Sequence, residues 1–295
     1  DFEEIRQKNM VYVDKTRYVW DLTRTSIPYF LSRPRRFGKS LFTSTLECYF
    51  RGKKELFEGL YIYDKENARG KNAWTEYPVI AFYLSSGEFN EPDGMSDILN
   101  GVLENCINEY GLHDKYAISG KTLTMRFRNV IMNLYNKTGR EVVILVDEYD
   151  KPLLDTMYSN PEQEEKNRSL YKSFFSALKD MDRYLRFVFF TGITKFTKVS
   201  IFSDLNQLDD ISLDNDADGI CGITEDELLD NFQPEITKLA ETQGLTNDEC
   251  IERLRQMYDG YHFSEYGVGV YNPFSLLNAF SKRRFKRYWF GSATP

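Results

Sequence analysis

Four short stretches of uninterrupted apolar residues stand out along the first two thirds of the chain. They are rich in β-branched and aromatic side chains and are bounded by polar or turn-forming residues. Strands that are covered on both sides give continuous apolar runs instead of an alternation of apolar and polar positions. We therefore predict a mainly parallel sheet with strands at 28–31, 79–84, 142–146 and 185–190, and a further short strand at 11–13.

Between these runs, apolar residues recur at every third or fourth position, which is the spacing of amphipathic helices. Gly111 and Gly139 follow two of the helical segments, as residues at helix C-caps do. Strands and helices that alternate in this way predict an α/β fold with helices flanking the sheet. The predicted helices lie at 17–22, 41–50, 98–110, 123–134 and 161–178.

The character of the chain changes from about residue 204, where acidic turn residues follow the last buried strand. Two capping-box sequences, at Thr224 and Thr246, each indicate the start of a helix. Residues 261–271 are predicted to form a hairpin, and Asn272-Pro273 to start a final helix. The two predicted domains are a core at 1–212 and a smaller helical lid at 213–295.

The loop after the strand at 28–31 has the residues of a phosphate-binding loop. Gly38, Lys39 and Ser40 match the second half of a Walker A motif in the required strand-to-helix context. Lys39 would contact the β and γ phosphates, and Ser40 would bind Mg²⁺. Arg33 replaces the first glycine of the motif, and a turn that merely starts a helix is the alternative. The predicted cofactor-binding residues are Arg33, Pro34, Arg35, Arg36, Phe37, Gly38, Lys39, Ser40 and Leu41.

Two adjacent carboxylates follow the apolar run at 142–146 and match a Walker B motif. Asp147 would help to hold Mg²⁺, and Glu148 would polarise the water that attacks the γ-phosphate. The alternative is a polar loop at the end of a strand. Because both motifs occur in order on matching elements, the sequence predicts a site for ATP or ADP with Mg²⁺, in which Lys39 and Glu148 act in catalysis.

Polar residues after the strand at 185–190 are candidates for sensing the γ-phosphate. Thr194 or Lys195 would serve this catalytic role, and the alternative is a solvated lysine beside a strand end. Arg35 and Arg36 are predicted to contact phosphates or to pair with carboxylates near the site.

Several longer strings resemble the AAA-ATPase-like family of bacterial proteins. They are VYVDKT at 11–16, RPRRFGKSL at 33–41, DEYDKPL at 147–153, CGIT at 221–224, YDGY at 258–261 and YNP at 271–273. The resemblance implies a P-loop NTPase core like that of STAND or archaeal ATPases, an arginine at the first Walker A position, and a helical lid. It also implies that Asn272 and Pro273 join the nucleotide pocket from the lid.

The predicted function is slow, Mg²⁺-dependent ATP hydrolysis coupled to a movement of the lid. The alternative is a nucleotide-regulated interaction switch with little turnover, as part of a nucleic-acid-processing or defence assembly. The resemblance implies a following PD-(D/E)xK nuclease-like domain, which we expect to be missing from this chain, and we expect a few residues upstream of Asp1. The sequence does not identify a protein partner.

A short acidic stretch also matches the pattern of a calcium-binding loop. Asp214, Asp216, Asp218 and Glu225 would supply oxygen ligands, and Gly219 would make the sharp turn. The segment before the stretch lacks the long amphipathic helix of such sites. The alternative is that Glu225 is simply a first-turn acid of a helix.

The charge balance argues against a nucleic-acid-binding surface over the whole protein. With 38 Lys and Arg against 45 Asp and Glu, the net charge is −7, so any polyanion contact would have to be local. The basic and aromatic run at 282–289 is either such a contact or an amphipathic helix with a solvated face.

The cysteines and the hydropathy give the expected compartment. Four cysteines without a CxxC pair and two histidines give little support for a zinc site or for disulfides. No apolar run approaches the roughly 20 residues of a membrane-spanning helix. These features predict a protein of the reducing cytoplasm without a membrane segment.

Overall fold

The computed structural model describes residues 1–112, 120–193 and 208–288 and confirms the predicted α/β fold. Its centre is a five-stranded sheet in which the second, third, fourth, first and fifth strands along the chain lie side by side, and every neighbouring pair is parallel. The four longer strands lie within two residues of the apolar runs that predict them. The strands are β1 Tyr29–Ser32, β2 Val79–Tyr83, β3 Val142–Asp147, β4 Leu185–Gly192 and β5 Asp209–Asp210.

Helices flank the sheet, and one of them, α6 Leu123–Thr138, has a capping residue at each end. At the start of α6, Thr122 accepts a hydrogen bond from the N–H of Met125, and Gly139 ends this helix with a left-handed φ of +65°, which glycine adopts at little cost. Among the described residues, none of the helices is long and apolar enough to cross a membrane. The helices of this part are α1 Phe2–Gln7, α2 Thr16–Leu22, α3 Lys39–Phe50, α4 Tyr61–Asn67, α5 Gly94–Glu109, α6 Leu123–Thr138, α7 Lys151–Leu154 and α8 Pro161–Phe175.

Strand β3 is buried on both faces, and its side chains alternate between two hydrophobic clusters. Ile144 and Val146 belong to the cluster that includes residues of α5, α6 and α8, where the rings of Phe127 and Phe174 stack at 4.4 Å. Leu145 belongs to the cluster around α3 on the other side. Because both faces are covered, the ends of the strands are where the sheet is open to ligands.

The strand predicted at 11–13 is wrong, because the structure assigns no strand to this segment. The ring of Tyr12 is buried against that of Phe2, with 4.9 Å between centroids, while Val11 is 58% exposed. Such an alternation of buried and exposed positions is typical of a strand, but this segment packs through one ring without backbone pairing.

The C-terminal part of the described chain is mainly helical, as predicted, and has a core of its own. Leu228, Ile236 and Leu254 belong to this separate core. Both predicted capping boxes are present, at Thr224 and Thr246. The elements are β6 Ile223–Thr224, α9 Glu225–Asn231, α10 Gln233–Gln243, α11 Asn247–Tyr258, β7 Val270–Tyr271 and α12 Pro273–Lys282.

The hairpin predicted at 261–271 is reduced to one bridge between Tyr261 and Val270. Strand β7 pairs antiparallel with β6 instead, after Gly222 turns the chain with a left-handed φ of +90°. Ile220 and Val270 also join the hydrophobic cluster around α3. The C-terminal part therefore packs directly against the helical layer of the core.

Candidate functional site

The carboxyl ends of three neighbouring strands form one edge of the sheet, and the predicted site residues follow directly from them. Strand β4 lies between β1 and β3, so the loop after β1 and the acids after β3 lie on either side of it. The N–H of Arg33 donates to the carbonyl of Gly192 at 3.1 Å, and the N–H of Tyr149 donates to the carbonyl of Thr191 at 2.9 Å. The end of β4 therefore holds both loops.

The loop from Arg33 to Gly38 enters α3 through two residues with a left-handed backbone. Gly38 is the N-cap residue with φ +99°, and Arg36 has φ +65°. A residue other than glycine in this region costs roughly 1–3 kcal/mol and is typical of ligand-binding loops. The first N–H groups of a helix lack partners within it, so the start of α3 is suited to an anion.

Lys39, the first residue of α3, turns its side chain back into the loop. Its Nζ donates to the carbonyls of Arg33 and Pro34 at 2.9 and 3.0 Å, and the residue is only 4% exposed. Burial lowers the pKa of the Lys39 ammonium, while the nearby acids Asp147 and Glu148 oppose that shift. The lysine follows β1 and the two acids follow the apolar part of β3, and both strands pair with β4.

Asp147 and Glu148 have different environments at the end of β3. The buried carboxylate of Asp147 accepts a hydrogen bond from the hydroxyl of Thr191. Glu148 is half-buried, has a left-handed φ of +54°, and donates its N–H to Oγ1 of Thr191 at 3.2 Å. Burial and the charge of Asp147 raise the pKa of Glu148, and Lys39 opposes this. A carboxylate with a raised pKa is suited to accept a proton.

Thr191 is the site residue that sequence reasoning misses. It is fully buried in β4, beside the end of β3, and its hydroxyl contacts both acids. The feature of the sequence that could have indicated Thr191 is its position as a polar residue directly after the apolar run at 185–190. The predicted sensor residues Thr194 and Lys195 lie outside the described residues.

The arginines and the serine of the loop segment face different surroundings. Arg35 and Ser40 are exposed, and Ser40 borders a cleft of about 500 Å³ along α3. Arg36 places its guanidinium 3.9 Å from the ring centroid of Phe274 in α12. Arg33 is buried, and its guanidinium donates to the carbonyls of Ser212 and Ala217, which lie between β5 and β6.

An apolar cavity of about 190 Å³ lies beside Gly38, between the N-terminal segment and the C-terminal helices. Pro273 reaches this cavity from the start of α12. The side-chain oxygen of Asn272 instead accepts the N–H of Ser275 at 2.8 Å and caps α12. The lining residues include Val11, Val13, Gly38, Leu41, Pro273 and Leu277.

The structure does not bring the four acids of the candidate calcium loop together as ligands. Asp218 accepts a hydrogen bond from the hydroxyl of Ser264. Glu225 accepts hydrogen bonds from Arg255, at 2.7 Å, and from Tyr271, as expected for a first-turn acid of α9 with its own partners. Within the described ranges, no three His, Cys, Asp or Glu side chains are grouped to hold a metal ion. The four acids are Asp214, Asp216, Asp218 and Glu225.

Comparison with known proteins identifies the family of this chain. A family model described as "Predicted AAA-ATPase" matches residues 1–202. A protein of Azotobacter chroococcum mcd 1, described as an uncharacterized protein in the vnfD 5' region, is 39% identical over 296 residues. The alignment covers 100% of this chain and 53% of that protein, so the chain spans about half the length of this relative. No solved structure matches the chain. The chain therefore belongs to the AAA-ATPase-like family.

Proposed function

We propose that the protein binds ATP or ADP with Mg²⁺ at the edge formed by β1, β3 and β4, and that it hydrolyses ATP slowly. Membership of the family supports a nucleotide ligand. The observation that carries the proposal is that Lys39, which starts α3 after β1, and the acids Asp147 and Glu148 at the end of β3 lie on either side of the end of β4.

The residues at this edge fit a Mg²⁺ ion. Ser40 and Asp147 would hold it, because hydroxyl and carboxylate oxygens are the hard ligands that Mg²⁺ prefers. The hydrogen bond from Thr191 to Oδ1 of Asp147 keeps that carboxylate in one orientation. When bound, Mg²⁺ would offset the negative charge that develops on the phosphoryl oxygens.

The residues of the chain supply the other parts of the reaction. Lys39 would leave the loop carbonyls and contact the β and γ phosphates, while N–H groups at the start of α3 bind phosphate oxygens. Glu148 would accept a hydrogen bond from the attacking water, and its raised pKa favours that role. The purine base would occupy the apolar cavity between Gly38 and Pro273.

Contacts between the loop and α12 favour a second function, a nucleotide-regulated switch with little turnover. Arg36 lies against Phe274, and Pro273 borders the proposed base cavity. A nucleotide bound there would touch both the core and the C-terminal helices, so its exchange would change their packing. In the ATPase, the same contacts would couple hydrolysis to a movement of the lid.

Variants of Lys39 and Glu148 test the proposal. We expect Glu148→Gln to bind ATP but to lose roughly a hundredfold in turnover, and Lys39→Ala to lose ATP binding. Glu165→Gln, whose side chain is 74% exposed on α8, is the matched control and should hydrolyse ATP like the wild type. Tight binding without turnover in the wild type would favour the switch, and ATP binding that survives Lys39→Ala would contradict both functions.

A further inference from the structure

Arg33, at the first position of the phosphate-binding loop, is buried in contacts with the segment between β5 and β6 and with Phe263. It is only 1% exposed, and its Nη1 donates to the carbonyls of Ser212 at 2.8 Å and Ser32 at 2.9 Å. Its Nη2 donates to the carbonyl of Ala217 at 2.9 Å. The guanidinium also lies over the ring of Phe263, 4.1 Å from the centroid.

Two further residues of the loop also contact residues that follow β5 in the chain. The ring of Phe37 meets the ring of Tyr261 edge-on at 4.7 Å, and the carbonyl of Phe37 accepts the N–H of Gly222 at 2.9 Å. The guanidinium of Arg36 lies 3.9 Å from the ring centroid of Phe274. The C-terminal part therefore holds the loop at several points.

The two Nη atoms of Arg33 have the surroundings of a structural link, whereas its buried Nε has no hydrogen-bond partner among the described residues. A buried charge is costly unless hydrogen bonds compensate for it, and a planar guanidinium can donate to several acceptors at once. Here the acceptors are backbone carbonyls, and the ring of Phe263 adds a cation–π contact. Among the described residues, no carboxylate forms a hydrogen bond with Arg33. Turning this guanidinium toward a phosphate would break all of these contacts.

The backbone of Arg33 is connected to the candidate catalytic lysine. Nζ of Lys39 donates to the carbonyls of Arg33 and Pro34. If Lys39 moves to a phosphate, both carbonyls lose this donor, and one of them belongs to the residue whose side chain holds Ser212 and Ala217. A buried carbonyl that loses its partner costs free energy, so the loop and the attached segment would shift together.

We propose that Arg33 is a positioning residue that joins the phosphate-binding loop to residues 211–222, so that contact of Lys39 with phosphate is transmitted to the C-terminal part. The transmission rests on the proposed binding of ATP. The link that Arg33 makes between the loop and residues 211–222 is present in the protein without nucleotide and can be measured separately.

Backbone hydrogen exchange, followed by mass spectrometry, tests the joining in nucleotide-free protein. We expect Arg33→Met to speed exchange at 211–222 about tenfold, because the segment loses its link to the loop. Arg33→Lys should have a smaller effect, since the ammonium keeps the charge but not the planar fork. Arg35→Met, at an exposed position of the same loop, should leave this exchange unchanged. Unchanged exchange in both Arg33 variants would overturn the joining, provided that the amides of β3 show each variant to be folded.

The transmission is tested by the same measurement with ATP and Mg²⁺. We expect ATP to change exchange at 211–222 in the wild type by about threefold or more, and Arg33→Lys to bind ATP with similar affinity but without that change. An affinity loss in Arg33→Lys as large as that in Lys39→Ala would make Arg33 a phosphate ligand and overturn its positioning role. A wild type that does not bind ATP would refute the proposed function and the transmission, while the nucleotide-free result on Arg33 would stand.

Discussion

The hydroxyl of Thr191 on β4 donates a hydrogen bond to Oδ1 of Asp147 on β3, and the oxygen of that hydroxyl accepts the N–H of Glu148 at 3.2 Å. One side chain therefore orients the carboxylate that would hold the metal and the backbone of the acid that would activate water. Partners that orient a metal ligand typically change metal affinity by about ten- to a hundredfold when they are removed.

Replacement of Thr191 by valine removes the hydroxyl and keeps the shape. We expect Thr191→Val to weaken Mg²⁺-dependent ATP binding about tenfold, measured by titration with a fluorescent ATP analogue at several Mg²⁺ concentrations. Thr191→Ser keeps the hydroxyl and should restore most of the affinity. Equal affinity in the valine variant and the wild type would show that Asp147 does not need this donor.

Gly192 packs closely against the residues that follow β3. An added Cβ would lie 2.4 Å from Cε1 of Tyr149 and 3.0 Å from Oδ1 of Asp150. We expect Gly192→Ala to lower the free energy of unfolding by about 1–3 kcal/mol, measured by denaturant unfolding, and to weaken ATP binding. Gly101→Ala is the control, because nothing lies within 4 Å of its Cβ and alanine in α5 should stabilise by about 0.5–1 kcal/mol. An equal change in the free energy of unfolding of the two variants would contradict the tight contact of Gly192 with Tyr149 and Asp150.

A buried ion pair joins the N-terminal segment to α9. Nζ of Lys15 lies 2.6 Å from the carboxylate of Glu227, with side chains 10% and 23% exposed, and also donates to the carbonyl of Gly219 at 2.7 Å. Lys15→Met would leave the carboxylate without its cation, and we expect a loss of about 3 kcal/mol in the free energy of unfolding. Lys166→Met breaks the exposed pair with Glu162 and should cost less than about 1 kcal/mol.

The double variant Lys15→Met/Glu227→Leu distinguishes a pair from two independent residues. We expect its loss of stability in denaturant unfolding to be smaller than the sum of the two single losses, because neither charge is then buried alone. Additive losses would mean that the two side chains act separately.

The proposed base cavity can be filled from α12. We expect Leu277→Trp to weaken ATP binding about tenfold, a difference of about 1.4 kcal/mol, because the indole would occupy the space of the purine. Binding of pyrophosphate, which has no base, should not change. Leu213→Trp, at another exposed leucine, is the control. Equal weakening of ATP and pyrophosphate would place the effect on the phosphate-binding loop and not on a base site.

The core strands and the start of α3 near Lys39 could be predicted, because both follow from residues that are adjacent in the sequence. Strand β3 is buried on both faces, so its residues form one continuous apolar run. Gly38, Lys39 and Ser40 are consecutive and directly precede a helical pattern. The predicted strand at 11–13 was wrong because this short run of β-branched and aromatic residues packs through one ring, Tyr12, and forms no strand pairing.

The contacts of Arg33 with Ser212 and Ala217 and the contact of Thr191 with Asp147 could not be predicted, because they join residues distant in sequence. The sequence predicts Arg33 as a cofactor-binding residue, but the carbonyls that bind its side chain lie 179 and 184 residues further along the chain. Thr191 meets Asp147, 44 residues away, only through the parallel pairing of β4 with β3. No pattern among neighbouring residues in the sequence indicates these contacts.

A fragment cut after residue 211 would uncover the ring of Phe37 and strip the Arg33 guanidinium of the carbonyls of Ser212 and Ala217. Both losses would affect the loop from Arg33 to Gly38, although the fragment would retain all residues of that loop. Expression of the family-matched region 1–202 alone would thus yield a loop that lacks its contacts with Ser212, Ala217 and Tyr261. Fragments intended for nucleotide studies should therefore extend through α12.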